Sequence, residues 1–152
     1  MVGSTQGRKD YYRELENEIN LHGMQQYIHL IKNCNDMPAA YMLTDIVVSA
    51  STEPEAFGRV VAEAQALGRL VIATDHGGSK ETILHGKTGW LVPPNDPDDL
   101  AETLNKLLNL TQEKRAEVSK NSIKHIHMNY SKDMMCANIL KVYNELIAND
   151  AV

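Results

Sequence analysis

Two glutamates eight residues apart, Glu55 and Glu63, flank a Phe57-Gly58 pair in the stretch EPEAFGRVVAEAQALG. Eight residues span about two helical turns. With Glu55 just ahead of a helix, Glu63 therefore lies on a face that points back toward the same loop. A helix opened by Gly58 presents unpaired backbone N–H groups and the positive end of its dipole, which suit a phosphate. Carboxylates suit hydroxyl groups, which donate hydrogen bonds to them, and not the phosphate itself. Phosphate at Gly58 with an acid on either side describes a ligand carrying hydroxyls on both sides of its phosphates, such as a nucleoside diphosphate sugar. The same spacing also suits two solvated helix acids, and spacing alone leaves both readings open.

The flanking sequence says how these residues are positioned. Ile46-Val47-Val48 precedes the stretch and Leu70-Val71-Ile72 follows it, and both short apolar runs read as buried strands. A helix between two such strands is a crossover unit, and the strands it joins are parallel. Ligands of open parallel sheets bind beyond the carboxyl ends of the strands. The polar segments expected on that rim are residues 33–36, 51–58 and 74–81, together with Glu63. Gly77 and Gly78 allow positive φ and a close approach of backbone to a ligand. His76 stands beside them, although a lone loop histidine is more often structural or merely exposed.

The remaining chain supplies further α/β units. Met1-Val2-Gly3 reads as the tail of a strand. Residues 9–22 form a helix with Tyr12, Leu15 and Ile19 on one face and Gly23 as its C-cap. Residues 27–32 (YIHLIK) alternate as a strand does, and Asp36 caps a short helix holding Pro38 and Tyr41. A short helix starts at Gly78 or Ser79, and Trp90-Leu91-Val92 is a last strand. Three helices close the chain, over residues 97–108, 112–129 and 132–148, the last capped by Ser131. Its stripe of Met135, Ile139, Val142 and Leu146 is expected to pack on this domain.

Several function classes are disfavoured. A net charge of −5 with scattered Lys and Arg leaves a nucleic-acid role without an electrostatic footprint. No apolar run approaches the roughly 20 residues of a membrane span, and MVGSTQGRKDYY has no secretory apolar core. GSTQGRK fails as a phosphate loop, because only three residues separate its glycines and Lys9 precedes Asp10. Asp96-Pro97-Asp98-Asp99 resembles a metal-binding pair of acids, but reads better as a cap, a proline at the first helical position and acids complementing the dipole. The six histidines show no ligand spacing, and Cys34 and Cys136 read as reduced thiols, so neither metal nor cofactor is expected.

Glu55-x7-Glu63, Phe57-Gly58, Gly77-Gly78-Ser79-Lys80-Glu81, Thr88-Gly89-Trp90-Leu91-Val92-Pro93 and the Asp96-Pro97 cap together resemble the nucleotide-sugar-binding half of the retaining family 4, or group 1, glycosyltransferases. The segment through Pro38-Ala39-Ala40-Tyr41 is similar to the family too. The resemblance implies a Rossmann-like open parallel sheet with helices on both faces, the C-terminal half of a GT-B fold, lacking its first strand-helix unit. Residues 1–152 would be a donor-binding domain incomplete at its N-terminus, with the acceptor domain absent. Glu55 would be the catalytic-site acid that binds donor-sugar hydroxyls, and Glu63 would grip the ribose. Ala56, Phe57, Gly58, Arg59 and Val60 would contact sugar and phosphate. Lys32, Asn33 and Cys34 would read the base, and His76, Gly77 and Gly78 would line the cleft.

The implied partner is a UDP-, GDP- or ADP-sugar, used without metal to build a glycan, lipid-linked or cell-envelope product such as lipopolysaccharide. The implied place is the cytoplasm, with the inner membrane face reached through the absent domain. The family's Arg and Lys for the diphosphate have no counterpart here, so the isolated chain is expected to transfer no sugar. An absent central strand beside residues 46–48 would leave a sheet edge open to a second copy. A nucleotide-sugar epimerase and a non-catalytic nucleotide-binding module are the alternatives. Lys80 stands where proline is common in relatives.

Overall fold

The computed structural model describes residues 1–3, 9–31 and 34–149. The chain divides into two compact units, Met1–Ala40 and Tyr41–Val152.

In the first unit, α1 (Lys9–Leu21) keeps Tyr12, Leu15 and Ile19 half-buried along one side, as its periodicity requires. It ends in paired C-terminal hydrogen bonds, Met24 N–H to Ile19 and Gly23 N–H to Asn20, with Gly23 at φ 64°. The expected strand over residues 27–32 is corrected. The Tyr27 and Ile28 N–H groups both donate to the Met24 carbonyl at 2.9 Å, forming a turn. Only Ile31 pairs, in an isolated parallel bridge to Val2. Alternation marks a half-buried strand only where a ladder partner runs alongside, and among the described residues that partner is Val2 alone. The expected strand tail at residues 1–3 corresponds to this bridge. Asp36 caps α2 (Met37–Met42), its Oδ1 accepting from the Ala39 N–H at 3.0 Å. Lys32, Asn33 and residues 4–8 of the GSTQGRK segment lie outside the described residues.

The second unit is an α/β layer structure. Strands β1 (Ile46–Ser49), β2 (Leu70–Thr74) and β3 (Trp90–Val92) form a parallel sheet in that order. Ile46 pairs with Leu70, and Ile72 with Trp90. The crossover from β1 to β2 carries α3 (Arg59–Ala66), as the two apolar runs around it predicted, and the expected short helix after β2 is α4 (Ser79–Thr82). On one face Leu70, Ile72, Trp90 and Val92 form a core with Leu107 of α5 (Pro97–Leu108) and Val118 of α6 (Gln112–Tyr130). By the two-residue period, Val71 and Ala73 point to the other face, where α3 packs with Val61, Ala62 and Ala64 buried. Because β2 is covered on both faces, all five of its residues are buried. The sheet's carboxyl ends therefore hold the loops after β1 and β2 on a rigid base.

The last helix departs from expectation. α7 (Lys132–Asn149) begins at Ser131, whose Oγ accepts from the Met134 N–H at 3.3 Å. Its stripe does not pack on the domain: Met135, Ile139, Val142 and Leu146 are 46–56% exposed. Helices α3, α5 and α6 already cover the sheet, and α7 meets α6.

Candidate functional site

Gly58 turns the chain from the β1 loop into α3 with left-handed backbone angles, φ 73° and ψ 57°. A Cβ there would meet only ordinary contacts, the nearest being Ser79 Oγ at 3.5 Å. Glycine is required by the backbone conformation, which costs other residues about 1–2 kcal/mol. No side chain caps α3. The Gly58 carbonyl accepts from Val61 and Ala62, while the N–H groups of Arg59 and Val60 have no intrahelical acceptor.

The Glu55 loop is locked onto the loop after β2. The Gly78 N–H donates to the Glu55 carbonyl at 2.8 Å. A Cβ on Gly78 would stand 2.5 Å from the Phe57 Cα, and one on Gly77 (φ 54°) would run into the Glu55 carbonyl. The two glycines were expected to let backbone approach a ligand. They let two segments of backbone approach each other. Lys80 contributes an N–H to the Gly77 carbonyl at 3.2 Å, a bond that proline would lack.

Glu55 is exposed, and its Oε1 accepts from the Ser51 hydroxyl at 2.5 Å. The Ser51 carbonyl is itself held twice at 2.8 Å, by the Thr74 hydroxyl and by His76 Nε2. A carbonyl oxygen only accepts, so Nε2 is the donor in this bond. Nδ1 is buried without a hydrogen-bond partner among the described residues. His76 thus faces the β1 loop and holds the residue that orients Glu55.

Glu63, on α3, has both oxygens engaged. The Tyr41 hydroxyl donates to Oε2 at 3.0 Å, and Arg59 Nη2 donates to Oε1 at 2.9 Å. Tyr41 is 4% exposed. Burial, together with the bond to Glu63 and its negative charge, pushes the phenol up to about 12, so it remains a proton donor at neutral pH. Ser51 and Thr74 lie within the polar rim expected at the carboxyl edge, whereas Tyr41 is expected only as part of a short helix. The Tyr41–Glu63 contact joins residues 22 apart in sequence, and no local spacing announces it.

Phe57 is supported from α6. Its ring lies 5.8 Å from that of Tyr130, tilted by 58°. The Tyr130 hydroxyl donates to the Glu81 carbonyl at 2.6 Å, and burial raises its pKa. A cavity of about 370 Å³ opens at the carboxyl edge of the sheet, bordered by Ala50, Thr52, Thr74, Val92 and Pro93.

The second unit therefore gathers Glu55, Ala56, Phe57, Gly58, Arg59, Val60, Glu63, His76, Gly77 and Gly78 on the loops and helix at one sheet edge. Cys34 belongs to the first unit, where its Sγ lies 3.2 Å from the Asp36 carbonyl oxygen. Asp96 is committed as a cap, accepting from the Asp99 N–H at 2.9 Å. Among the described residues no three His, Cys, Asp or Glu side chains gather as a metal centre, and no helix is long and apolar enough to cross a membrane.

Comparison with known proteins agrees with this architecture. Residues 1–125 match the family Glycosyl transferases group 1. The capsular polysaccharide biosynthesis glycosyltransferase CapM of Staphylococcus aureus is 31% identical over 118 residues, covering 78% of this chain and 30% of CapM. A glycosyltransferase of Rickettsia africae ESF-5 superposes with a TM-score of 0.93 at 33% identity, over 98% of this chain and 40% of its own. Anabaena HepE, solved with UDP and glucose, superposes with a TM-score of 0.88 at 28% identity, over 95% of this chain and 39% of its own. The chain spans about a third of the length of the curated relatives it matches. With its parallel sheet, its Glu55–Gly58–Glu63 helix entry and these matches, the chain belongs to the group 1 glycosyl transferases.

Proposed function

We propose that this chain is the donor-binding part of a retaining, family 4 glycosyltransferase that moves a sugar from a nucleoside diphosphate onto a polysaccharide or lipid-linked acceptor. The observation that carries the reading is the pair of acids on either side of an uncapped helix entry. Glu55 is fixed by Ser51 on one side, and Glu63 by Tyr41 and Arg59 on the other. Crystallisation of HepE with UDP and glucose, and the similarity to the capsular polysaccharide biosynthesis glycosyltransferase CapM, support the ligand and product classes.

In this reading Glu63 accepts from the ribose hydroxyls and Glu55 from hydroxyls of the donor sugar. The Arg59 and Val60 N–H groups face the distal phosphate. As the bond from the anomeric carbon to the phosphate oxygen breaks, its electron pair leaves with the nucleoside diphosphate. The helix N-terminus stabilises that charge where it develops. The acceptor hydroxyl oxygen bonds to the anomeric carbon in place of the phosphate, and its proton passes to the departing phosphate oxygen. No metal takes part. A cytoplasmic setting fits a nucleotide-sugar donor.

The test is a chemical-shift titration with UDP, GDP, ADP and their glucose conjugates. Perturbations are expected at Cys34, across residues 57–63 and across residues 77–81. Absence of shifts at residues 57–63 with every nucleotide would overturn the reading.

A further inference from the structure

We infer that Arg59 exchanges partners when donor binds: the ribose hydroxyls displace it from its pair with Glu63 toward the donor phosphates. This rests on the donor-site reading above. The two bonds to the Glu63 carboxylate are unequal. Tyr41 holds Oε2 from a buried position, 4% exposed, and belongs to the frame of the unit. Arg59 holds Oε1 from a side chain that is 83% exposed. An exposed ion pair contributes only about 0–1 kcal/mol, so this is the bond that yields to a ligand.

A ribose offers two adjacent hydroxyls as donors, and they share the acceptor positions of the carboxylate with the groups already bonded to it. Arg59 donates to Oε1 at 2.9 Å, which makes it a competitor for that position. Its place on the helix supplies the second half of the exchange. Arg59 is the first residue of α3, where a cation opposes the helix dipole. Helical side chains lean toward the N-terminus, so the freed guanidinium reaches the space in front of the Arg59 and Val60 N–H groups. A diphosphate there offsets the unfavourable placement, and a guanidinium pairs with phosphate oxygens through two parallel hydrogen bonds.

The exchange predicts effects of opposite sign on two related ligands. Uridine, 2′,3′-dideoxyuridine and UDP are titrated into the whole chain, as wild type and as Arg59→Gln and Arg59→Lys. In Arg59→Gln, uridine is expected to bind about two- to threefold tighter, since its competitor is gone. UDP is expected to bind about tenfold weaker, having lost a charge-assisted contact. Dideoxyuridine stays unchanged, and Arg59→Lys keeps UDP within about threefold of wild type. Uridine and UDP moving in the same direction in Arg59→Gln, or neither moving, overturns the exchange while leaving the donor site intact. A wild-type chain that responds to none of the three ligands, nor to their guanosine and adenosine counterparts, overturns the donor-site reading and the exchange together.

Discussion

The backbone N–H of Gly78 donates to the carbonyl of Glu55 at 2.8 Å, with the Phe57 backbone packed where a Gly78 side chain would stand. This bond ties the loop after β2 to the loop after β1, so the acid proposed for the sugar is placed by two strands of one sheet. Gly78→Ala must push the loops apart. We expect a loss of about 3 kcal/mol in urea unfolding, the upper end for overpacking, with amide shifts confined mainly to residues 55–58 and 76–80. An alanine variant as stable as wild type would mean that the two loops are not locked.

The two acids have separable roles. Glu63→Ala should weaken UDP by roughly tenfold to a hundredfold, as expected for losing hydrogen bonds to a charged group. Glu55→Ala should leave UDP within about twofold and remove whatever affinity UDP-glucose gains over UDP. Calorimetric titration of the two ligands against both variants reads this directly. Unchanged UDP affinity in Glu63→Ala would show that the ribose assignment is wrong.

Tyr41 links the site to alkaline stability. Its folded pKa is raised from 10.0 to about 12, so the folded state holds the phenolic proton more tightly than the unfolded chain does. The stabilisation is complete below pH 10 and is lost as pH rises through about 12. Urea unfolding should show stability falling across that window in wild type. The fall should be smaller in Tyr41→Phe, which has no proton to lose there. Equal slopes in the two proteins would refute the coupling.

Tyr130 tests whether α6 holds the Phe57 loop. Tyr130→Phe keeps the ring contact and loses the bond to the Glu81 carbonyl, an expected cost of about 1 kcal/mol. Tyr130→Ala also removes the ring pair, at about 0.5–1.5 kcal/mol beyond the lost burial. The Phe57 ring protons should shift in the alanine variant and stay close to wild type in the phenylalanine variant.

The parallel crossover of β1, α3 and β2, the positions of Gly58, Glu55 and Glu63, and the Asp96 cap were all legible in the order of residues. Each depends on patterns within about ten positions: apolar runs, a glycine before a helical period, a capping side chain three residues from its N–H. Such short-range rules act wherever the segment folds. The purpose of Gly77-Gly78, the commitment of His76 to Ser51 and the clasp of Tyr41 on Glu63 depend on groups 22 to 25 residues apart. Only the closed sheet brings these together. Residues 27–32 and the α7 stripe mark the same boundary from the other side. Alternation and a 3.6-residue period state which side chains prefer burial. Whether a partner surface is there to bury them is decided by the packing of the whole unit, where α3, α5 and α6 had already covered the sheet before α7 reached it.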